Sequence, residues 1–296
     1  MKNKILKRLI CSLSLLLTSF SLFSSPLVNS VKKDTATSNP YKIKTIIVDP
    51  GHGARPSVLG EGHHSLGASG SYSYERNVTL AIALKLQTSI EKNMPGVKVV
   101  LTRSTEEDVA LEKRSQIANE NNGDLFISIH CNSLPDKVIH EHGRKVHVPD
   151  RSGRGVLLLV YGFHRTKEEE AAIGKKLYQD ADFNENDNGG FDPNDPADVI
   201  LMNTIKTKYR KQSIHLANLI NSEFVDHDQR HSDGVIEQGV LVLCHSAMPA
   251  VLVETGFINN ADDEAYLNSE SGQDEIVASI TRAIENYKTE VESVSQ

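Results

Sequence analysis

Short apolar runs rich in β-branched residues alternate along this chain with longer stretches whose apolar positions recur at helical spacing. The first run, residues 43–48, is cut off by Asp49-Pro50-Gly51, which delivers His52 just past the end of a strand. Residues 77–92 follow, with Val78, Ile82, Leu86 and Ile90 along one helical face and Met94-Pro95-Gly96 as the stop. Further strands are predicted over 97–102, 124–130, 155–161, 239–244 and 250–254. Further helices are predicted over 111–122, 166–181, 199–224, 259–268 and 272–287. Residues 137–154 read only as a basic, His-rich stretch, and 184–198 as a polar loop broken by Gly and Pro. Strand and helix alternate from end to end, the pattern of a single α/β domain with a mostly parallel sheet.

The first thirty residues have a different pattern. Lys2, Lys4, Lys7 and Arg8 precede a serine-dotted apolar run over 9–23, and small and polar residues continue to Ser30. This is the layout of a secretory signal peptide cleaved after Ser25 or Ser30. The run is shorter than the ~20 apolar residues a spanning helix needs, so no permanent membrane span is expected. The division predicted is signal peptide 1–30, linker 31–42, catalytic domain 43–288 and tail 289–296. Export is expected, to a periplasm because no wall-binding repeat accompanies the domain.

The chain of 296 residues is 39% hydrophobic and 24% charged, ample for a folded core. Tryptophan is absent, which excludes a Trp-platform carbohydrate surface, and a net charge of -7 argues against nucleic acid as a partner. A monomer is expected. Cys11 leaves with the leader; Cys131 and Cys244 remain, and either a disulfide or two buried thiols suits their apolar surroundings.

Four residues fall where a parallel sheet collects its chemistry, at the carboxyl ends of strands: His52, Glu75 at a helix start, His130 ending residues 124–130, and Glu254 ending residues 250–254. Two imidazoles and a carboxylate make a His₂Glu zinc set with an open fourth position, and a second carboxylate can act as general base. Each has a plainer alternative. A strand-end histidine is often only solvated, and a glutamate in a first helical turn is favoured by the helix dipole alone. Glu254 follows four apolar residues, so a purely structural role requires an Arg or Lys partner. His63, His64, His140, His142 and His147 compete as loop histidines, and His245 reads as a rim residue; spacing does not rank His52 and His130 above them.

The motifs settle the choice by resemblance. Val48–Gly53 (VDPGHG), Tyr74-Glu75-Arg76-Asn77, Leu101-Thr102-Arg103, Arg114 with Ala118-Asn119, Ser128–Asn132 (SIHCN) and Val253–Asn260 (VETGFINN) together resemble the zinc-dependent N-acetylmuramoyl-L-alanine amidases, in family order over residues 43–288. The resemblance implies a central sheet of about six strands flanked by helices on both faces. It also implies one Zn2+ held by His52, Glu75 and His130, with Glu254 as catalytic acid/base acting on peptidoglycan. Ala54, Arg76 and Cys131 depart from the family's usual residues without removing a ligand.

Cell-division members of that family carry an inserted helix that covers the zinc and is displaced by an activator protein. Residues 166–207, with three consecutive glutamates and a broken acidic loop, are the counterpart expected here as a regulatory insert with a carboxylate facing the metal. Two competing functions remain at this stage: a zinc peptidase cutting within the stem peptide, and a non-catalytic wall-binding protein on the same fold.

Overall fold

The computed structural model describes residues 41–54, 66–162, 166–180, 192 and 194–293, all within one unit, Pro40–Gln296. The leader, most of the linker, His63-His64 and residues 181–191 lie outside the described residues.

Three strands rise in parallel at one side of the sheet: β1 (Thr45–Pro50), β2 (Lys98–Leu101) and β3 (Leu125–Asn132). Between them run α1 (Glu75–Asn93) and α2 (Leu111–Glu120). A two-stranded ribbon, β4 (Lys137–Glu141) and β5 (Arg144–Val148), leads into β6 (Val156–Tyr161). Next come α3 (Thr166–Asp180), α4 (Pro196–Ser222) with a π-helical turn at Glu223–His227, and β7 (Ser232–Gln238). The chain closes with the short α5 (Leu241–Cys244), β8 (Ala250–Phe257), α6 (Ala261–Asn268) and α7 (Glu270–Ser293). The main sheet has six strands in the order β2-β1-β3-β8-β6-β7, parallel except where β6 runs against β8.

Alternation along the strands sends side chains to two separate cores. Ile46, Val48, Leu125, Ile127, Ile129, Val251 and Val253 pack beneath α1, α4 and α7 through Ile82, Leu86, Ile220, Ile280 and Ile284. Ile47, Phe126, Leu159 and Leu252 face the other way, against Ala118 of α2 and Val242 and Leu243 of α5. Both sides of the sheet are therefore covered, which explains why its strands read as nearly continuous apolar runs. Among the described residues no helix is long and apolar enough to cross a membrane.

Three sequence expectations are corrected. The strand expected over 239–244 is instead the α5 turn, and its place in the sheet is taken by β7. Residues 232–238 have no buried position and are polar at both ends around Val235 and Ile236, as suits an edge strand, so they lack the apolar signal of the inner strands. The basic stretch after β3 is a hairpin, turning at His142 and Gly143, whose φ values of 51° and 77° make the two-residue, positive-φ turn such hairpins favour. The last helix continues to Ser293, so most of the expected tail over 289–296 is helical.

The described parts of the 166–207 segment make contacts of their own with the sheet. Lys176 of α3 donates to the carbonyls of Gly123 and Ala247, which precede β3 and β8. Ile173 and Met202 pack with Ala247. These contacts are at the amino ends of the strands, the far end of the sheet from His130 and Glu254. Most of the broken acidic loop of that segment lies outside the described residues.

Candidate metal and catalytic site

β1 ends at Pro50, which has no N–H to extend the ladder, and the next three residues turn across the carboxyl end of the sheet. The carbonyls of Pro50, Gly51 and His52 all accept hydrogen bonds. Pro50 O accepts from Arg103 Nε (2.9 Å) and Arg114 Nη1 (2.6 Å). Gly51 O accepts from Arg103 Nη2 (2.8 Å) and Thr79 Oγ1 (2.9 Å), and His52 O from Arg114 Nη2 (2.8 Å). His52 itself sits at φ 60°, a region rarely adopted outside glycine, and this network holds it there. Gly51 has a specific reason to lack a side chain: a Cβ would stand 2.4 Å from the His130 ring. The space beside the backbone is thus filled by the second histidine.

Arg114 is the centre of the support. It is 1% exposed and uses all five donors, the remaining ones on Val109 O, Asp49 Oδ1 (2.8 Å) and Asp108 Oδ1 (2.9 Å). Asp49 also accepts from Ser128 Oγ (2.7 Å) and Thr102 Oγ1. Burial would raise the Asp49 carboxyl, but the Arg114 charge and these hydrogen bonds outweigh it and hold it below its ordinary value. Burial, helped by Arg114, brings the Arg103 guanidinium down to about 10.

Glu75 enters from the start of α1. Its Oε1 lies 3.1 Å from His52 Nε2 and 3.0 Å from His130 Nδ1, and accepts from Cys131 N at 3.0 Å. Its Oε2 accepts from Ala68 N at 2.7 Å. The loop before α1 is pinned in turn by Glu264 of α6, which accepts from Ser71 N, Tyr72 N, Ser73 N and Ser73 Oγ at 2.8–2.9 Å. Glu264 has no exposed surface. Burial raises the Glu75 carboxyl, yet hydrogen bonds and charge from His130 and His52 hold it far below the usual carboxylate range. For His130 burial acts downward, and Glu75 more than reverses it, so the net direction is up.

One ligand atom each from His52, Glu75 and His130 lies within 4.8 Å of the others, and no other such group occurs among the described residues. The imidazoles stand edge to face, centroids 4.7 Å apart. The His52 and His130 side chains keep 20% and 17% exposure against 4% for Glu75, so the cluster is anchored below and open above. Two nitrogens and one oxygen converging with one open side fit a catalytic zinc ion.

Glu254 lies opposite His130 in the β3–β8 register. Its Oε2 is buried with no hydrogen-bond partner, and no basic side chain pairs with it among the described residues. The Arg or Lys that a structural role requires is missing. Burial raises its carboxyl to about 7, with His130 pulling the other way and Glu75 adding to the rise. An orphaned carboxylate beside a metal-ready cluster also fits a bound cation and water.

The competing histidines are placed elsewhere. His140, His142 and His147 lie exposed on the β4–β5 ribbon, and His245 caps α5, where its carbonyl accepts from Asn119. Cys131 and Cys244 are both buried free thiols. Sequence reasoning quoted Arg103 and Arg114 without a role, and missed Asp49, Asp108 and Glu264 as supports.

Comparison with known proteins agrees with this geometry. Residues 46–286 match the family model for N-acetylmuramoyl-L-alanine amidase. The chain is 26% identical over 244 residues to the N-acetylmuramoyl-L-alanine amidase AmiA of Escherichia coli, covering 82% of this chain and 76% of that protein. It is 28% identical to AmiC of Neisseria meningitidis, covering 82% of this chain and 52% of that one. Its fold resembles the crystal structure of the N-acetylmuramoyl-L-alanine amidase from Clostridium difficile 630, with a TM-score of 0.54 and 20% identity over 83% of this chain and 97% of that one. The matched span carries the whole sheet and all four candidate residues, and the chain belongs to the N-acetylmuramoyl-L-alanine amidase family as an enzyme of that activity.

Proposed function

We propose that His52, Glu75 and His130 hold one zinc ion and that Glu254 is the general acid/base for hydrolysis of the amide between the MurNAc lactyl group and L-alanine. The observation that carries the assignment is the convergence of the three ligand atoms within 4.8 Å, with the unpartnered Glu254 across the adjacent strand. When bound, zinc supplies Lewis acidity to the amide carbonyl and acidifies the attacking water. Glu254 takes the proton from that water and delivers it to the departing L-alanine amine. A carboxyl held at about 7 suits both halves of that transfer near neutral pH. Glu254 is half-buried, with its Oε2 buried, and the Arg114–Asp49 network fixes the turn that presents His52. The leader pattern supports export, with the periplasm as the compartment in which the polymer is met.

The test is digestion of purified peptidoglycan by the protein beside its Glu254→Ala form, with zinc content measured on both. Expected are stem peptides with a free L-alanine amine and glycan with free lactyl carboxyls, from the parent only, and about one zinc per chain in each. Turnover retained by Glu254→Ala would reject its role. Full zinc content in a folded Glu75→Ala form would reject the ligand set.

A further inference from the structure

Between β3 and β6 the chain leaves the main sheet as the β4–β5 ribbon, in which no strand residue is buried. Its root is nevertheless built in. Asn259 Nδ2 donates to Leu134 O (3.1 Å) and Asp150 O (2.9 Å), and Asn260 Nδ2 to Arg151 O (3.0 Å). Lys137 Nζ closes the base on Asp150 Oδ2 at 2.8 Å. The segment that follows β5 passes so close to Phe257 that a Cβ on Gly153 would meet its ring at 2.4 Å. Asn259, Asn260 and Phe257 lie at or just after the end of β8, the strand that carries Glu254. The ribbon is thus rooted at the catalytic end of the sheet, while both its faces meet solvent. A two-stranded ribbon gains little stability of its own in water, so its length is not explained by packing.

The register separates its faces. Val138 pairs with His147 and His140 with Lys145, which places these four on one side; Lys137, Ile139, Glu141, Arg144, Val146 and Val148 take the other. The first face has no acidic residue, in a chain of net charge -7. It offers one ammonium, two imidazoles and the half-exposed Val138 (50%).

We propose that the Val138/His140/Lys145/His147 face is a second docking surface for peptidoglycan, binding free carboxylates of stem peptides beside the one being released. The inference rests on the amidase activity for its choice of ligand, and its grounds are charge complementarity and rooting at the catalytic end. Such a contact holds the enzyme to a polymer with many carboxylates and raises the local concentration of the next cleavable bond. It adds nothing to the chemistry of a single bond.

The full-length protein, an H140Q/K145Q/H147Q variant and an E141Q/R144Q variant of the opposite face are compared. Cosedimentation with insoluble peptidoglycan, brief and on ice, reads binding; release of stem peptide from the polymer and from a soluble muramoyl peptide reads catalysis. The triple variant should bind the polymer about five- to tenfold more weakly at low salt, and the difference should shrink as salt rises. Its KM on polymer should rise in step, with kcat and turnover of the soluble peptide unchanged, and the opposite-face variant should behave as the parent. Equal sedimentation of the parent and the triple variant at low salt would overturn the proposal. So would an equal loss in the opposite-face variant, or a matching loss on the soluble peptide in folded protein. Sedimentation reads the ribbon and product release reads the amidase, so each can fail separately.

Discussion

Replacing Arg114 by lysine keeps the charge and removes the fork. The guanidinium makes five hydrogen bonds at 2.6–2.9 Å, to Asp49, Asp108 and the carbonyls of Val109, Pro50 and His52. A lysine ammonium has three donors on one atom and cannot span those acceptors, so at least two are stranded in a pocket where Asp49 is 1% and Asp108 8% exposed. Leaving two buried acceptors unpaired at about 1–3 kcal/mol each costs roughly 3–5 kcal/mol together. For a domain of this size that lowers the melting temperature by about 6–20 °C. The same change loosens the carbonyl of His52, so zinc affinity should fall with stability. Thermal melts by circular dichroism and a zinc titration of the folded variant measure the two effects. A melting temperature within about 2 °C of the parent for Arg114→Lys would put the fork below ~1 kcal/mol and refute the reasoning.

Three further outcomes follow from the same geometry. Because the Asp49 carboxyl is held below its ordinary 3.8, its ion pair stabilises above that pH and is lost as pH falls through the folded value. Acid melts below about pH 4 should therefore be steeper for the parent than for Asp49→Asn; parallel acid limbs would contradict this. Glu264→Gln puts an amide donor among three backbone N–H groups and should cost about 2–3 kcal/mol, with weaker zinc binding through the loosened Glu75 loop. Equal zinc affinity in that variant would separate the loop from the site. Gly51→Ala drives a methyl to 2.4 Å from the His130 ring, and should lose zinc binding before it loses the fold; normal zinc content would show that the ring can move aside.

How much of this was legible depended on whether the cause was local. His52, His130 and Glu254 were readable because Pro, Gly and polar stops mark where apolar strands end, and strand ends are where the sheet gathers its chemistry. Residues 239–244 misled because four or five apolar residues in a row suit a buried strand and a buried helical turn equally well. The β4–β5 ribbon was missed because its turn is His-Gly rather than Asn-Gly or Asp-Gly, and neither face is apolar enough to show alternation. Glu264 carried no signal at all. Its partners are backbone N–H groups 191 to 193 residues away, and a backbone group leaves no mark in the sequence. The placement of α3 and α4 rests on contacts such as Lys176 with Gly123 and Ala247, which no periodicity reveals.

The strand order has a consequence for how the enzyme comes into being. Among the described strands β8 comes last in the sequence, yet it occupies the middle of the sheet, joining β2-β1-β3 on one side to β6-β7 on the other. A chain ending before residue 250 holds two half-sheets with no seam between them, and lacks Glu254. Folding therefore waits on contacts between distant parts of the sequence, a slow route that favours completion over early partial order. A chain cut short of β8 should therefore show no amidase activity.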